Sequence, residues 1–269
     1  MMSLKSQKFS SHEIVDYDVK PTDQKILEMI EDYFSSQADE YDQFDENLEK
    51  RKRYNGKIDQ LVREKLKSNQ AKTLLSIACG TGKREIDIQN ALATKVEIHG
   101  LDLNPVMCKL ANERGIECQR GTVLSLDLTE ASYDAIAYLH AFGHVPSRQQ
   151  RSQEIEKIYN LLTPGGVFCV DLMNLDDENE WGPNIKKLYE EKKWSEKGLE
   201  LGDIFYKRVD LQKTSFFHYF SESEIVQLLT NSGFESIHVQ YVGYAINAGQ
   251  EVKKDKGAMF VTAIKTDKV

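Results

Sequence analysis

The chain has 269 residues, of which 40% are hydrophobic and 29% are charged, a composition typical of a folded domain rather than of a disordered or membrane-spanning chain. With 35 basic and 43 acidic residues, the net charge is −8, which works against long-range attraction to nucleic acid or to an anionic membrane surface. The N-terminus lacks the charged and apolar pattern of a secretory signal, so a cytoplasmic protein is expected.

The four cysteines form no C-x-x-C pair and lie within apolar stretches. This placement favours buried free thiols over metal ligands or disulfides. No metal site is predicted.

The N-terminal quarter of the chain contains two predicted helices. Residues 1 to about 20 have no periodicity and are expected to form a loosely attached tail. The segment PTDQKILEMIEDYF, which starts at Pro21, has apolar residues at helical spacing. An acidic and aromatic stretch follows at residues 37–50, and a second helix is predicted from about Gly56 to residue 68.

These patterns divide the chain into two predicted parts. Residues 1–55 are expected to form a helical extension or lid, and residues 56–269 the main domain. The basic run KRKR at residues 50–53 is expected to be a solvated face of a helix rather than a binding patch.

Short apolar runs alternate with amphipathic helices from Thr73 onward. The predicted strands are TLLSIA, KVEIHGL, IECQRG, YDAIAYL and GVFCVDL, and the predicted helices span residues 84–93, 105–114 and 148–162. Buried strands separated by helices of this length are typical of βαβ units, in which a parallel sheet is covered on both faces.

This alternation stops after the fifth strand. Residues 175–220 are polar and charged but contain aromatic residues, and they are expected to form a substrate-side insertion. The insertion includes two probable antiparallel strands, DIFYKRVD and KTSFFHYF. A helix capped at Ser221 and two final strands, SIHVQYVGYA and AMFVTAIK, complete the predicted fold.

A glycine turn follows the first strand of the main domain. Gly80 and Gly82 allow a sharp turn and a close approach of a ligand to the backbone. About twenty residues later the next strand ends in Asp102, whose carboxylate can accept both hydroxyls of a ribose. The third glycine of a dinucleotide motif is replaced by Glu85. The turn therefore fits an adenosine joined to a compact zwitterion better than a dinucleotide.

Five segments of the chain resemble, in order, the motifs of class I S-adenosylmethionine-dependent methyltransferases. They are LLSIACGTGK, HGLDLNPVMCKLA, GTVLSLDL, YDAIAYLHAFGHV and IYNLLTPGGVFCVDLMN. The resemblance implies a Rossmann-like α/β fold with a seven-stranded, mostly parallel sheet and helices on both faces. It also implies an antiparallel last strand inserted between its neighbours. S-adenosylmethionine is the implied cofactor and S-adenosylhomocysteine its product.

The resemblance also implies roles for particular residues. Asp102 would hold the ribose hydroxyls, Leu103 would pack on the adenine, and His140 would lie beside the sulfonium. The cofactor-binding residues that it implies are Tyr41, Ala78, Cys79, Gly80, Gly82, Asp102, Leu103, Thr122, Val123, Leu139 and His140.

Three positions depart from the family pattern. Ser76 stands where the family usually has an acid, Ala78 where it usually has glycine, and Thr122 where an aspartate commonly binds the adenine amino group. A catalytically inactive cofactor-binding or scaffold protein of the same fold therefore remains an alternative.

The sequence also offers candidates for a catalytic base. Methyl transfer needs a base only if the acceptor must lose a proton. His140 and His144 are the leading candidates, and His140 is the better placed because it ends a strand. Asp171, Asn174, His218 and Tyr219 are weaker candidates.

We therefore predict an S-adenosylmethionine-dependent methyltransferase that acts on N or O of a small-molecule acceptor. A tRNA methyltransferase is an alternative, because GDIFYKRVDLQKTSFFHYFSESEI is faintly similar to tRNA wobble-uridine methyltransferases. A nicotinamide-dependent oxidoreductase is a more distant one. The negative charge weighs against RNA, and neither nucleic acid nor a membrane is expected as a partner.

Overall fold

The computed structural model describes residues 12–38, 41–43 and 48–266. The strands are β1 (His12–Val15), β2 (Thr73–Ile77), β3 (Glu97–Asp102), β4 (Glu117–Arg120), β5 (Tyr133–Tyr138), β6 (Leu162–Leu172), β7 (Asp203–Arg208), β8 (Lys213–His218), β9 (Glu235–Val242) and β10 (Ala258–Ile264). The helices are α1 (Asp23–Ser35), α2 (Glu49–Ser68), α3 (Lys83–Asn90), α4 (Pro105–Glu113), α5 (Arg148–Leu161), α6 (Gly182–Glu191) and α7 (Glu222–Asn231). Short 3-10 turns span Phe142–His144 and Trp194–Lys197.

Seven strands form one sheet in the order β4-β3-β2-β5-β6-β10-β9. Strand β2 pairs in parallel with both β3 and β5, whereas β10 runs antiparallel to β6 and β9. The predicted Rossmann-like fold with an inserted antiparallel last strand is confirmed. The carboxyl ends of β2, β3 and β5 therefore meet at one edge of the sheet, where ligands bind in folds of this kind.

Helices cover both faces of this sheet because its strands are apolar on both sides. Along β5, Ile136 and Tyr138 pack on one face, and Ala135 and Ala137 pack on the other. Helices α5 and α7 cover the first face, and α2 and α3 cover the second.

A second, three-stranded sheet has the order β1-β7-β8. The two strands predicted in the insertion are confirmed as β7 and β8. Strand β1 pairs antiparallel with β7, from His12 opposite Arg208 to Val15 opposite Phe205. The expectation of a loose tail is therefore wrong for residues 12–15, and residues 1–11 lie outside the described residues. A four-residue strand has too few positions for a periodic pattern, so only its pairing partner reveals it.

The second helix begins earlier than predicted. Helix α2 starts at Glu49 rather than near Gly56, so a division between residues 55 and 56 would cut it. Its charged first turns have no apolar spacing, but Tyr54 is buried with 1% of its surface exposed. Tertiary contacts of this end of α2, which the sequence pattern does not contain, fix the helix start.

All four cysteines are free and buried, as expected. In the described ranges, no helix combines the length and the apolar character needed to cross a bilayer.

Candidate functional site

A cavity of about 380 Å³ opens at the carboxyl edge of the main sheet. Its floor consists of the turns that follow β2, β3, β4 and β5, and its roof of α1 and Tyr41. The predicted site residues that line it are Tyr41, Ala78, Gly80, Asp102, Leu103, Thr122, Leu139, His140 and His144. The structure thus brings together residues from four turns and from the N-terminal extension.

Three predicted cofactor-binding residues do not line the cavity. The Cys79 thiol lies 3.5 Å from the thiol of Cys118 and packs beneath the turn. Gly82 has a φ of 73°, and a Cβ there would lie 3.1 Å from the Cα of Ala111, so this glycine allows the turn to approach α4. Val123 is fully buried in the core, and its neighbour Leu124 lines the cavity instead.

The roof residues of α1 are the main group that the sequence analysis missed. Leu27, Ile30, Glu31 and Phe34 line the cavity. Their helical spacing predicted a buried face, but the pattern does not indicate what that face covers. Gln150 and Glu154 of α5 were also missed, because nothing in their sequence context separates them from other polar residues of a surface helix.

Asp102 connects two turns at the cavity. Its Oδ2 accepts a hydrogen bond from Gly80 N at 2.8 Å, and its Oδ1 accepts one from Asn104 N at 2.8 Å. Each carboxylate oxygen can accept a further hydrogen bond. Burial raises the pKa of Asp102 to about 6, so the carboxyl group is ionised at neutral pH and protonated in mild acid.

The structure gives a physical account of two departures from the family pattern. Ser76 Oγ donates to Glu85 Oε1 at 2.6 Å, so a carboxyl group of α3 lies beside the position where the family usually has an acid. Ala78 has a φ of 54°, the left-handed conformation that favours glycine. The third, Thr122, lines the cavity while its Oγ1 accepts a hydrogen bond from Ser125 N at 3.2 Å.

The charges around the cavity are acidic. Glu31, Asp102 and Glu154 line it, and no lysine or arginine among the described residues does so. Burial raises the pKa of Glu154 to about 8, so that group is mostly protonated at neutral pH. At neutral pH the charged acids of the lining are therefore Asp102 and Glu31, and Glu31 pairs with Arg120 Nη2 at 3.0 Å. The carboxylate of Asp102 attracts a cationic ligand and opposes an anionic one such as a pyrophosphate.

The imidazole of His140 is already engaged within the protein. Its Nε2 lies 2.6 Å from Asn55 Oδ1, and its Nδ1 lies 3.3 Å from Asp171 Oδ2. Its backbone N donates to Asp171 Oδ1 at 2.7 Å, and this holds the residue at a left-handed φ of 58°. Burial lowers the pKa of His140 to about 4.

His144 has a hydrogen-bond partner at one ring nitrogen among the described residues. Its Nδ1 lies 2.6 Å from the carbonyl oxygen of Phe216, which fixes the proton on Nδ1. The rings of Phe34 and Phe217 meet the imidazole edge-on, at centroid distances of 5.2 and 4.8 Å. Burial lowers the pKa of His144 to about 4. The neutral ring therefore has an unprotonated Nε2, and the residue lines the cavity.

The weaker candidates have structural partners away from the cavity. His218 is buried between Asp203 and Glu224, at 2.7 and 3.1 Å. The side chain of Asn174 donates to two backbone carbonyls, and Tyr219 is buried in a small apolar cluster. Asp171 is the exception, because it accepts a hydrogen bond from the backbone of His140, which lines the cavity.

The chain is similar to several known proteins. A family model described as a methyltransferase domain matches residues 74–166. A demethylmenaquinone methyltransferase of Lactiplantibacillus plantarum is 24% identical over 189 residues, which are 65% of this chain and 75% of that protein.

Two solved structures share the fold. A Burkholderia thailandensis 1,6-didemethyltoxoflavin-N1-methyltransferase superposes with a TM-score of 0.62 at 17% identity, over 95% of each chain. A Thermotoga maritima S-adenosylmethionine-dependent methyltransferase, described as a possible histamine N-methyltransferase, gives 0.61 at 16% identity over 87% of this chain and 100% of that one. At these identities the likeness shows the fold. With the ordered motifs and the family model, it supports a class I S-adenosylmethionine-dependent methyltransferase.

Proposed function

We propose that this enzyme transfers a methyl group to a nitrogen or oxygen of a small-molecule acceptor and that His144 accepts the acceptor's proton. The observation that carries the proposal is the state of His144. Its Nδ1 is occupied by the Phe216 carbonyl and the residue lines the cavity, so the unprotonated Nε2 is available to a bound acceptor. His140, which the sequence favoured, has neighbours at both ring nitrogens.

The residues of the cavity fit S-adenosylmethionine. Asp102 would accept the ribose hydroxyls, Leu103 would pack on the adenine, and Ala78 and Gly80 would approach the methionine part. The cofactor supplies a methyl group on a positively charged sulfonium, which is already activated for transfer. The acidic lining suits this positive charge and disfavours the pyrophosphate of the nicotinamide alternative.

The protein's own contribution is positioning and proton transfer. The roof formed by Phe34 and Tyr41 would exclude water and hold the acceptor in line with the methyl group. His144 Nε2 would take the proton that the acceptor's N–H or O–H loses as its lone pair forms the new bond. The Phe216 carbonyl keeps the ring in this tautomer and orientation.

The comparisons support a small-molecule acceptor. The names of the three similar proteins refer to demethylmenaquinone, to 1,6-didemethyltoxoflavin and to histamine. All three are small molecules, and the cavity of about 380 Å³ lies in the range of small-molecule sites.

The first test is calorimetric titration of the wild-type protein with S-adenosylmethionine, S-adenosylhomocysteine and NAD. We expect the first two to bind in the micromolar range and NAD not to bind. Asp102→Ala should abolish the binding while leaving the unfolding temperature close to that of the wild type. Unchanged affinity in this variant would remove Asp102 from the site.

The second test identifies the acceptor class and the base. Methyl-labelled S-adenosylmethionine is incubated with a pool of small metabolites and, separately, with bulk tRNA. Label in the small-metabolite pool supports the proposal, label in tRNA favours the RNA alternative, and label in neither favours an inactive protein. Once an acceptor is found, His144→Gln should lower kcat by about 10²-fold or more at unchanged cofactor affinity. An equal effect on cofactor binding would contradict the assignment of the base.

A further inference from the structure

Asp42 follows Tyr41 in the roof of the cavity and bonds to two elements beneath it. Its Oδ1 accepts a hydrogen bond from Thr81 Oγ1 at 2.7 Å, and its Oδ2 pairs with Arg114 Nη2 at 2.5 Å. Arg114 Nη1 also donates to the backbone carbonyl of Thr81 at 2.9 Å. A single guanidinium group therefore joins the roof to the glycine turn.

These contacts lie behind the cavity rather than in it. Tyr41 lines the cavity, whereas Asp42, Thr81 and Arg114 do not. Thr81 is part of the turn whose Gly80 faces the cavity, and Arg114 directly follows α4. Asp42 thus fixes the backbone of Tyr41 to the floor without occupying space that a ligand needs.

The rest of the roof has an attachment of its own. Asn104 Nδ2 donates to the carbonyl of Glu31 at 3.1 Å and to Ser35 Oγ at 2.8 Å, which holds α1 against the end of β3. Tyr41 also has a ring contact with Phe34 of α1, at a centroid distance of 6.3 Å, so loss of the Asp42 contacts should loosen residues 41–43 from the glycine turn while α1 stays in place. This independence makes the effect of Asp42 separable from the stability of the fold.

We propose that Asp42 is a positioning residue whose contacts with Thr81 and Arg114, here named the latch, hold Tyr41 against the glycine turn. The latch thereby slows the release of the cofactor and of its product. The inference rests on the proposed function, because it assumes that both molecules occupy this cavity. Opening the roof at Tyr41 must break two hydrogen bonds to a carboxylate, and such charge-assisted bonds are stronger than neutral ones. The side chains of Asp42 and Arg114 are 24% and 35% exposed, so water screens the pair only in part.

The test measures the dissociation rate of S-adenosylhomocysteine by stopped-flow displacement. Asp42→Asn keeps the size of the side chain and removes its charge, and we expect the dissociation rate to rise about tenfold. The association rate should change less, and the unfolding temperature should stay within about 2 °C of the wild type. The matched control is Asp176→Asn, whose carboxylate pairs with Lys186 at 2.5 Å in the insertion, away from the cavity. This control should leave the dissociation rate unchanged.

Exchanging the charges of Asp42 and Arg114 tests whether the two residues act through their ion pair or through two separate effects. Asp42→Arg and Arg114→Asp should each speed dissociation, and the double variant should return it toward the wild-type rate. An unchanged rate in Asp42→Asn, or a double variant as fast as the singles, overturns the latch alone. A wild-type protein that does not bind S-adenosylhomocysteine overturns the proposed function and the latch with it.

Discussion

Two regions of the protein bury charged groups in opposite ways. One is the contact between the three-stranded sheet and the main domain, and the other is the cavity. At the first, His218 lies between Asp203 and Glu224, and Lys20 Nζ contacts Asp203 Oδ2 at 2.7 Å. On the cavity floor, Glu154 has a buried Oε2 without a hydrogen-bond partner among the described residues. The first region pairs its charges with charges of opposite sign, whereas Glu154 has a hydrogen bond with the neutral Tyr138 and no ion pair among the described residues.

The pKa directions follow from this difference. Burial alone would lower the pKa of His218, but hydrogen bonds to Asp203 and Glu224 raise it. Burial alone would raise the pKa of Asp203, but hydrogen bonding to His218 and the charge of Lys20 lower it. In the cavity, burial prevails and raises the pKa of both Asp102 and Glu154. We infer that the paired charges hold the three-stranded sheet in place. Asp102 and Glu154, which have no ion pair among the described residues, serve ligand binding.

The largest expected effect comes from breaking the paired region. Asp203→Ala leaves His218 and Lys20 buried without their shared carboxylate, and we expect a loss of about 3–5 kcal/mol in the free energy of unfolding. Urea denaturation at pH 7 measures it. Asp210→Ala is the control, because Asp210 pairs with Arg208 on the same hairpin but is 56% exposed, and it should cost no more than about 1 kcal/mol.

The pH dependence of the paired region has two limits. Because the pKa of His218 is raised, the protonated side chain stabilises the fold at low pH. This contribution is lost as the pH rises through the pKa of His218 in the folded state. The lowered pKa of Asp203 stabilises the fold above the ordinary range of an aspartate and is lost as the pH falls through its folded pKa. A loss for Asp203→Ala that is equal to the loss for Asp210→Ala would contradict this account.

The next effect concerns the unpaired acid. The pKa of Glu154 is raised to about 8, so the unfolded chain releases this proton at a lower pH than the folded chain. Protonated Glu154 therefore contributes its full stabilisation of the fold below the ordinary pKa of a glutamate, and this contribution is lost as the pH rises to about 8. Glu154→Gln stays neutral, and we expect its stability relative to the wild type to rise by roughly 4 kcal/mol between pH 5 and pH 9.

Denaturation curves at pH 5 and pH 9 check this expectation. The difference between variant and wild type should grow with pH, because only the wild type ionises. A difference that is the same at both values would mean that Glu154 is not buried as an unpaired acid.

The smallest expected effect concerns backbone strain at the cavity. Ala78 and His140 both have left-handed backbones, and strain of this kind concentrates at functional sites. Ala78→Gly relieves the strain but adds freedom to the unfolded chain, so we expect a net gain of about 0.5–1 kcal/mol, or a few degrees in Tm. Ala131→Gly is a matched control, since Ala131 has a φ of 49° but does not line the cavity.

Both glycine variants should gain similar stability by differential scanning calorimetry. Only Ala78→Gly should change the affinity for S-adenosylhomocysteine, because only Ala78 lines the cavity. A change of affinity in Ala131→Gly as well would show that the effect is a general one on flexibility.

Much of the main domain was predictable because its signals are local. The apolar runs of β2 and β5, the glycine turn and the cap at Ser221 each depend on a few neighbouring residues. Asp102 was predictable for the same reason, since it ends a strand that periodicity already located. The roles of Cys79 and Gly82 were not, because the sequence places them in the turn without indicating which side they face.

The sequence by itself determined the parallel sheet, most of its helices and the turns that form the cavity floor, because hydrophobic period and turn chemistry are properties of short segments. The resemblance of the ordered motifs to a known family implied the cofactor. Only the tertiary structure decided which of the two histidines has a ring nitrogen available to a ligand. His140 is engaged by Asn55, which lies 85 residues away along the chain, and His144 is oriented by Phe216, which lies 72 residues away. Contacts across such separations depend on how the insertion and the N-terminal helices pack over the sheet, and no local pattern records that packing.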